Sequence, residues 1–481
     1  MKVNDIIVIG GGTAGCISAL MLKTRFPRKN IKIIESKNVG IVGVGESSTE
    51  HWAQFCRFIN IPQLASILEC NGTIKAGVYF KGWADEDFMH SLITPHSNTI
   101  GEYHRNFAHV IANELSPRRM QPAGIWRNEL SLNYFSNNND TPVNQYHFDT
   151  YALNKYLHKV CIERGIDIIV DDLCGAKLHE ESGEMNSVHS STQEYRADFF
   201  IDCSGFMRLI HEKTYGIKWV SYSKYLPVNS AIAFATDEME EYNKYTMATA
   251  RNAGWSWTIP TQTRTGNGYV YCDGFIGKDE AQREMEEAYG QSLEVAKYFR
   301  FDPGRLEKAW HKNCYAVGLS QSFVEPLEAT SIGSVIQQMF CFMHYLPSYD
   351  VDTCNQRVNA IFDNIVDYVQ AHYLVKREDT PFWREVKYNL KLTPGLEKHL
   401  ESWKNRLPVT PDFFCPWGMF NATNYIPVLY GLGWFDVDKI REEYINYGYE
   451  VGERNEDLDL VTEEEKSLFW ISHKKLIKQL V

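Results

Sequence analysis

Gly10-x-Gly12-x-x-Gly15 stands between two short apolar runs, Ile6–Ile9 and Ile31–Ile34. Glycines at that spacing have separate jobs. Gly10 allows a tight turn, Gly12 lets backbone approach a pyrophosphate, and Gly15 lets a helix pack closely on the strand before it. The helix opening there aims its N-terminus, with free N–H groups and a positive dipole end, at the phosphates. Glu35 follows the last glycine by about 20 residues, where such units hold a ribose hydroxyl. The pattern predicts a strand–helix–strand unit for FAD or NAD, with Gly10, Gly12, Thr13, Ala14, Gly15 and Glu35 as contacts.

Four other stretches could do chemistry. Val39–Ser48 is a glycine-studded loop right after the second strand, suited to backbone pressed close to a flat group. A helix is expected to begin near Thr330 and run to about Tyr345, and its uncapped first turn would favour an anion. Trp255 and Trp257 sit at period two in Gly254–Pro260, and Gly266-Asn267-Gly268 reads as the turn of a hairpin with a tryptophan-lined face. Lys75 and Lys81 fall in a strand-like run from Thr73 to Trp83, and composition alone leaves both as surface lysines.

The elements around these stretches read as alternating strands and helices. A strand is expected at Ile166–Val170, and buried strands at Asp198–Asp202 and Tyr315–Val317, these two ending in small residues as strands do at a ligand edge. Residues Glu50–Asn71 read as helical with a break at Pro62, and Glu184–Ala197 as a polar hairpin. Residues 85–141 show no clear period and read as an irregular insert. From Val351 the chain is mostly helical and amphipathic, broken at Asp379–Trp383 and Pro411–Tyr425.

Composition narrows the function classes. A chain of 481 residues can bury a large core. Its net charge of −12 argues against nucleic acid or an anionic membrane as the main partner. No apolar run approaches ~20 residues, so neither a signal peptide nor a membrane span is expected. The 11 cysteines are scattered with no CxxC pair, which fits reduced thiols in the cytoplasm and no metal site.

Taken together the segments resemble the flavin-dependent tryptophan halogenases from Asp5 to about Gly433. The markers are the Gly10–Gly15 loop, Gly43-Val44-Gly45-Glu46, Cys70-Asn71…Lys75, Asp202–Phe206, Trp255-x-Trp257-x-Ile259-Pro260, Phe323–Glu328, Asp379–Trp383 and Asn421-x-x-Asn424-Tyr425. The resemblance implies an α/β fold. An FAD-binding Rossmann-type, flavin monooxygenase-like domain would span 1–348, with insert 85–141 contributing to the substrate pocket. A mostly helical C-terminal substrate subdomain would span 349–481. It implies further cofactor contacts at Gly45, Glu46, Gly318, Ser331 and Ile332, with Gly43–Ser48 as a strap joining flavin and halide sites.

The resemblance also implies the reaction. Reduced FAD and O2 oxidise a halide bound near Thr330 and Ser331 to hypohalous acid, which travels to Lys75. Lys75 then either hydrogen-bonds it or forms a haloamine. Glu328 stabilises the cationic ring intermediate or takes its proton. Trp255 and Trp257 would wall the flavin from the substrate, and His90, Leu92, Phe420, Asn421 and Asn424 would line the substrate pocket. The run Cys70–Lys75 matches the family up to its lysine without a gap, which selects Lys75 over Lys81. One strand across Thr73–Trp83 would point both to the same face, so orientation does not separate them, and Lys75 is expected to lie deeper because it is nearer the strand's start. With one dinucleotide fingerprint and no second for NAD(P)H, a separate flavin reductase is the expected partner; a homodimer stays open. Aromatic hydroxylation and a non-enzymatic flavoprotein are the competing readings.

Three departures from the family matter. Ala329 replaces its serine and Ser331 its glycine, both at the halide pocket, which leaves the halide among chloride, bromide and iodide open. Leu92 replaces a phenylalanine, removing one wall of the aromatic sandwich. The tyrosine pair and acid that clamp an amino-acid ammonium have no match before Phe420, where Pro408–Trp417 stands. An ammonium without a carboxylate partner would be poorly held, so a free indole, a phenol or a larger aromatic is expected rather than free tryptophan.

Overall fold

The computed structural model describes residues 3–40, 46–91, 100–120, 128–131, 145–453 and 470–481. Asp5–Ile9 pairs in parallel with Asn30–Glu35 on one side and with Phe199–Asp202 on the other. Asp167–Val170 and Cys314–Ala316 extend this sheet, and Trp310–His311 closes one edge antiparallel. The continuous apolar character of the central strand follows from burial on both faces. Ile6 and Val8 join one core cluster with Leu20, Val335 and Phe342, while Ile7 and Ile9 join another with Val188 and Ile210.

A seven-stranded sheet lies in the middle of the chain, in the order 295–300, 230–236, 265–271, 254–260, 245–251, 77–81 and 88–91. Two sequence readings are corrected here. The tryptophan hairpin turns at residues 261–264, and Gly266–Gly268 lie inside the second strand, paired with Ile259, Thr258 and Trp257. Trp257 explains the glycine, because a Cβ at Gly268 would stand 2.0 Å from its ring. The run Thr73–Trp83 is two strands in two sheets. Thr73–Lys75 pairs with Gln145–Phe148, whereas Gly77–Lys81 joins the seven-stranded sheet. The Ala76 N–H leaves the first ladder and donates to the Lys244 carbonyl at 2.5 Å. Period-two reasoning therefore does not relate Lys75 to Lys81: Lys75 is buried and Lys81 is exposed.

The insert is also more regular than its sequence reads. It contains the strand Phe88–Ser91, the helix Ile100–Ala112 and the strand Glu129–Ser131. The helix is amphipathic, burying Phe107, Val110 and Ile111. Helix Ala422–Gly431 begins inside the stretch read as a break, and among the described residues the C-terminal part carries one strand, Trp470–Ser472, paired with Glu129–Ser131. Thr330–Tyr345 packs on Thr13–Arg25, His51–Ile59 and Val351–Ala371, bringing the C-terminal helices onto the first strand–helix–strand unit.

Candidate active site

A cavity of about 840 Å³ opens at the carboxyl ends of the parallel strands. Gly10 through Gly15, Glu35, Glu46, Gly318, Ser331 and Ile332 all line it. Every cofactor residue expected from the sequence is therefore on one wall or another of the same space, except Gly45, which lies outside the described residues. The glycines behave as distinct parts. Gly10 has φ +110°, and a Cβ there would sit 2.3 Å from the Cys203 carbonyl oxygen. A Cβ on Gly15 would sit 1.9 Å from the Gly10 carbonyl oxygen. Gly12 has nothing within 4 Å of where a Cβ would lie, so its backbone faces open space.

The surroundings fit a dinucleotide. The first turn of Thr13–Arg25 has no side-chain cap, leaving its amides for phosphate. Glu46 Oε2 is buried with no hydrogen-bond partner among the described residues, and burial pushes the carboxyl up to about 7; a ligand donor would satisfy it. Asp202 fixes the edge of the cavity through bonds from Ser204, Ile210 and His211. Burial raises its carboxyl, but the His211 and Ser204 donors outweigh that and hold it at about 2.

Sequence spacing missed three residues here. Gly11 is needed because a Cβ would lie 1.9 Å from Glu35 Oε2. Asn154 and His158 bond the Gly11 carbonyl at 2.9 and 2.7 Å, and His158 Nε2 is 3.4 Å from Glu35 Oε2. The signal was the polar face of helix Thr150–Glu163, where positions 151, 154 and 158 recur at helical spacing.

A second, dry cluster surrounds Glu328. Its Oε1 lies 2.8 Å from His90 Nδ1 and 3.2 Å from His372 Nε2, with the Tyr368 hydroxyl donating at 3.4 Å. His372 Nδ1 meets the Tyr368 carbonyl at 2.8 Å, so both ring nitrogens face oxygen atoms. Burial alone would raise the Glu328 carboxyl, but the two imidazoles outweigh it and hold it below the usual carboxylate range. His90 Nε2 contacts the Asn424 amide at 3.4 Å, and the Phe420 ring lies against Tyr368 with centroids 4.0 Å apart and the planes tilted by 31°. Asn421 caps helix Ala422–Gly431, accepting from the Thr423 N–H at 2.9 Å. Leu92 lies outside the described residues. His372 and Tyr368 went unnoticed in the sequence, although their four-residue spacing at the end of Val351–Ala371 puts them on one face.

Lys75 is 1% exposed and donates to the Ser48 carbonyl at 3.0 Å. Burial lowers its ammonium to about 8 against the opposing pull of Glu328 and Glu50. Glu328 and Ala329 both have left-handed backbone, φ 63° and 57°. Such conformations cost about 1–3 kcal/mol each in non-glycine residues; here they turn the chain so that Glu328 enters the buried cluster and Ser331 lines the cavity. Thr330 is buried, and the first turn of its helix has no side-chain cap.

Trp255 and Trp257 share a face of their strand, with ring centroids 6.3 Å apart, and neither lines the large cavity. Trp255 Nε1 donates to Glu325 Oε2 at 3.1 Å, and Tyr373 donates to the same oxygen at 2.7 Å. Burial pushes the Glu325 carboxyl up to about 7. Among the described residues, no helix is long and apolar enough to cross a membrane.

Comparison with known proteins places these observations. Residues 5–440 match the sequence model of the tryptophan halogenases. The 7-chloro-L-tryptophan 6-halogenase KtzR of Kutzneria sp. (strain 744) is 30% identical over 468 residues, covering 89% of this chain and 90% of that protein. The structure of the tryptophan 6-halogenase SttH from Streptomyces toxytricini superposes with a TM-score of 0.85 at 26% identity, over 99% of this chain and 100% of that one. A tryptophan halogenase from Shewanella frigidimarina NCIMB 400 shares the fold, with a TM-score of 0.88 at 22% identity over 99% and 97% of the two chains.

Proposed function

The chain belongs to the tryptophan halogenase family of flavin-dependent halogenases, and we propose that it halogenates an electron-rich aromatic ring of indole or phenol type using reduced FAD, O2 and a halide. When bound, reduced FAD supplies the electrons with which O2 converts halide into hypohalous acid. Gly10, Gly12, Thr13, Ala14 and Gly15 would hold its pyrophosphate, Glu35 a ribose hydroxyl, and Glu46, Gly318, Ser331 and Ile332 the remainder. A separate flavin reductase delivers the reduced cofactor. The uncapped amides at Thr330 and Ser331 hold the halide, where the helix dipole favours an anion.

The observation that carries the reading is a buried lysine, Lys75, together with a buried carboxylate, Glu328, held by two histidines. Lys75 Nζ has one described acceptor, the Ser48 carbonyl. Its remaining protons are available to hold hypohalous acid. Alternatively the neutral amine attacks the halogen, forming an N–halogen bond and releasing water. Either route presents an electrophilic halogen in a site from which water is excluded. Glu328, kept ionised by His90 and His372, is the group to stabilise the cationic ring or accept its proton after the carbon–halogen bond forms. Trp255 and Trp257 would separate ring from flavin, while His90, Phe420 and Asn424 face the substrate side. Without a clamp for an amino-acid ammonium, a free indole, a phenol or a larger aromatic suits the site better than free tryptophan.

The test supplies reduced FAD, O2 and bromide with a panel of indoles and phenols, read by mass spectrometry. Brominated product is expected. Oxygenated product in its place would make the chain a hydroxylase, and cofactor oxidation without any product would remove the proposal for these substrate classes.

A further inference from the structure

Thr73–Lys75 is an edge strand. Its sheet runs in the order Glu46–Ser47, Gln145–Phe148, Thr73–Lys75, so among the described residues one side of the strand has no ladder partner. A buried edge N–H without an acceptor is costly. The Ile74 N–H, next to Lys75, points to that side and donates to His473 Nε2 at 3.1 Å. The two residues are 399 positions apart in the chain.

The histidine is held from behind. His473 Nδ1 lies 3.1 Å from the Tyr242 carbonyl, to which it donates, and its ring meets Tyr242 edge-on. With Nδ1 donating and Nε2 accepting, the contacts select one neutral tautomer. Burial also lowers the imidazole to about 3, with the Lys244 ammonium second, which agrees with the neutral form those contacts select. The next strand register is fixed by the same region: the Lys244 carbonyl takes the Ala76 N–H. The amides on both sides of Lys75 are thus tied to the 242–244 segment, one directly and one through His473.

His473 itself is anchored well. It opens helix His473–Leu480, which Ser472 caps, and its own N–H donates to the Asn128 carbonyl at 2.9 Å. Lys474 pairs with Glu238 at 2.8 Å, and Leu476 and Ile477 are buried.

We propose that His473 is a positioning residue for Lys75: by accepting the Ile74 N–H it fixes the strand that aims the ammonium. This rests on the reading of Lys75 as the residue that presents the halogen.

The full-length chain is compared with H473L, H473Q and K75A. The glutamine side chain carries an acceptor and a donor about 2.2 Å apart, as the imidazole does, and can serve both partners. Three quantities are read: amide exchange of the peptide containing Ile74, FAD affinity, and halogenated product per flavin oxidised. H473L should speed Ile74 exchange by tenfold or more, keep FAD affinity, and lower product per flavin by tenfold or more. H473Q should restore exchange and coupling to within threefold of the parent. Unchanged Ile74 exchange in H473L overturns the proposal, as does faster exchange with full coupling, or failure of H473Q to restore either. If H473L does not fold, H473N, whose amide is one carbon too short to reach the Ile74 N–H, takes its place with the same expectations. Full activity of K75A would instead remove the role of Lys75, while the exchange result would still decide whether His473 holds the strand.

Discussion

The Lys75 ammonium donates to the Ser48 carbonyl at 3.0 Å, two residues beyond Glu46, which lines the large cavity. One three-stranded sheet carries both ends of this link, because Glu46–Ser47 and Thr73–Lys75 flank Gln145–Phe148. The large cavity and the buried amine are therefore braced by the same strands.

Lys75→Ala should lower halogenated product by roughly 100-fold or more, the scale of losing a positioned catalytic group, while FAD affinity and flavin reoxidation stay. Lys81→Ala, on an exposed side chain, should stay within twofold of the parent. Product analysis beside flavin absorbance checks both; reversed behaviour would move the reactive amine to Lys81.

Lys75 also carries a stability cost. Its folded value is about 8 against 10.5 for a free lysine. A lowered amine means the unfolded chain binds more protons between those values, so stability rises with pH from about 8 to 10.5. Below pH 8 the buried ammonium costs about 3 kcal/mol by that difference. Lys75→Met should be inactive yet about 1–3 kcal/mol more stable at pH 7, since Gln145, with its amide turned, donates to Ser48 at 2.9 Å and keeps that carbonyl satisfied. Its stability should also be flatter between pH 8 and 10. Denaturant melts at both pH values check this.

Glu328 is held down by His90 and His372 against burial. Because its folded value is depressed, the stability it contributes is present above the unfolded value and lost as pH falls below it. His372→Leu leaves burial less opposed, so the carboxyl must rise. The acid limb of the pH–kcat profile should move to higher pH by a unit or more. An unmoved limb would show that Glu328 is not the group that limits activity in acid.

Gly11 and Gly12 should fail differently. At Gly12 a larger side chain enters open space, so Gly12→Val should keep the melting temperature of the flavin-free protein and weaken FAD binding 100-fold or more. Gly11→Ala forces the Glu35 carboxylate aside and should lower both. Flavin fluorescence titration with a thermal melt separates the two.

Ser331 lines the cavity at the start of the helix proposed to hold the halide. Ser331→Gly should change the chloride-to-bromide product ratio in competition by threefold or more while leaving flavin reoxidation within twofold. An unchanged ratio would place halide selection elsewhere.

What the sequence determined is local. A turn that needs φ +110° at Gly10, a helix that needs Gly15 against the strand, and a strand ending at Glu35 are constraints between neighbours, and they are written in neighbouring residues. The start of the helix at Thr330 is legible for the same reason. What the tertiary structure decided is which buried groups meet. Nothing within Thr73–Trp83 announces that Ala76 leaves one sheet for another, because the period continues and the cause is the distant Lys244 carbonyl. The lysine's environment, the pairing of Glu328 with His372, and the hold of His473 on Ile74 each join residues tens to hundreds of positions apart. Burial and hydrogen-bond partnership are properties of the packed chain, and no local spacing encodes them.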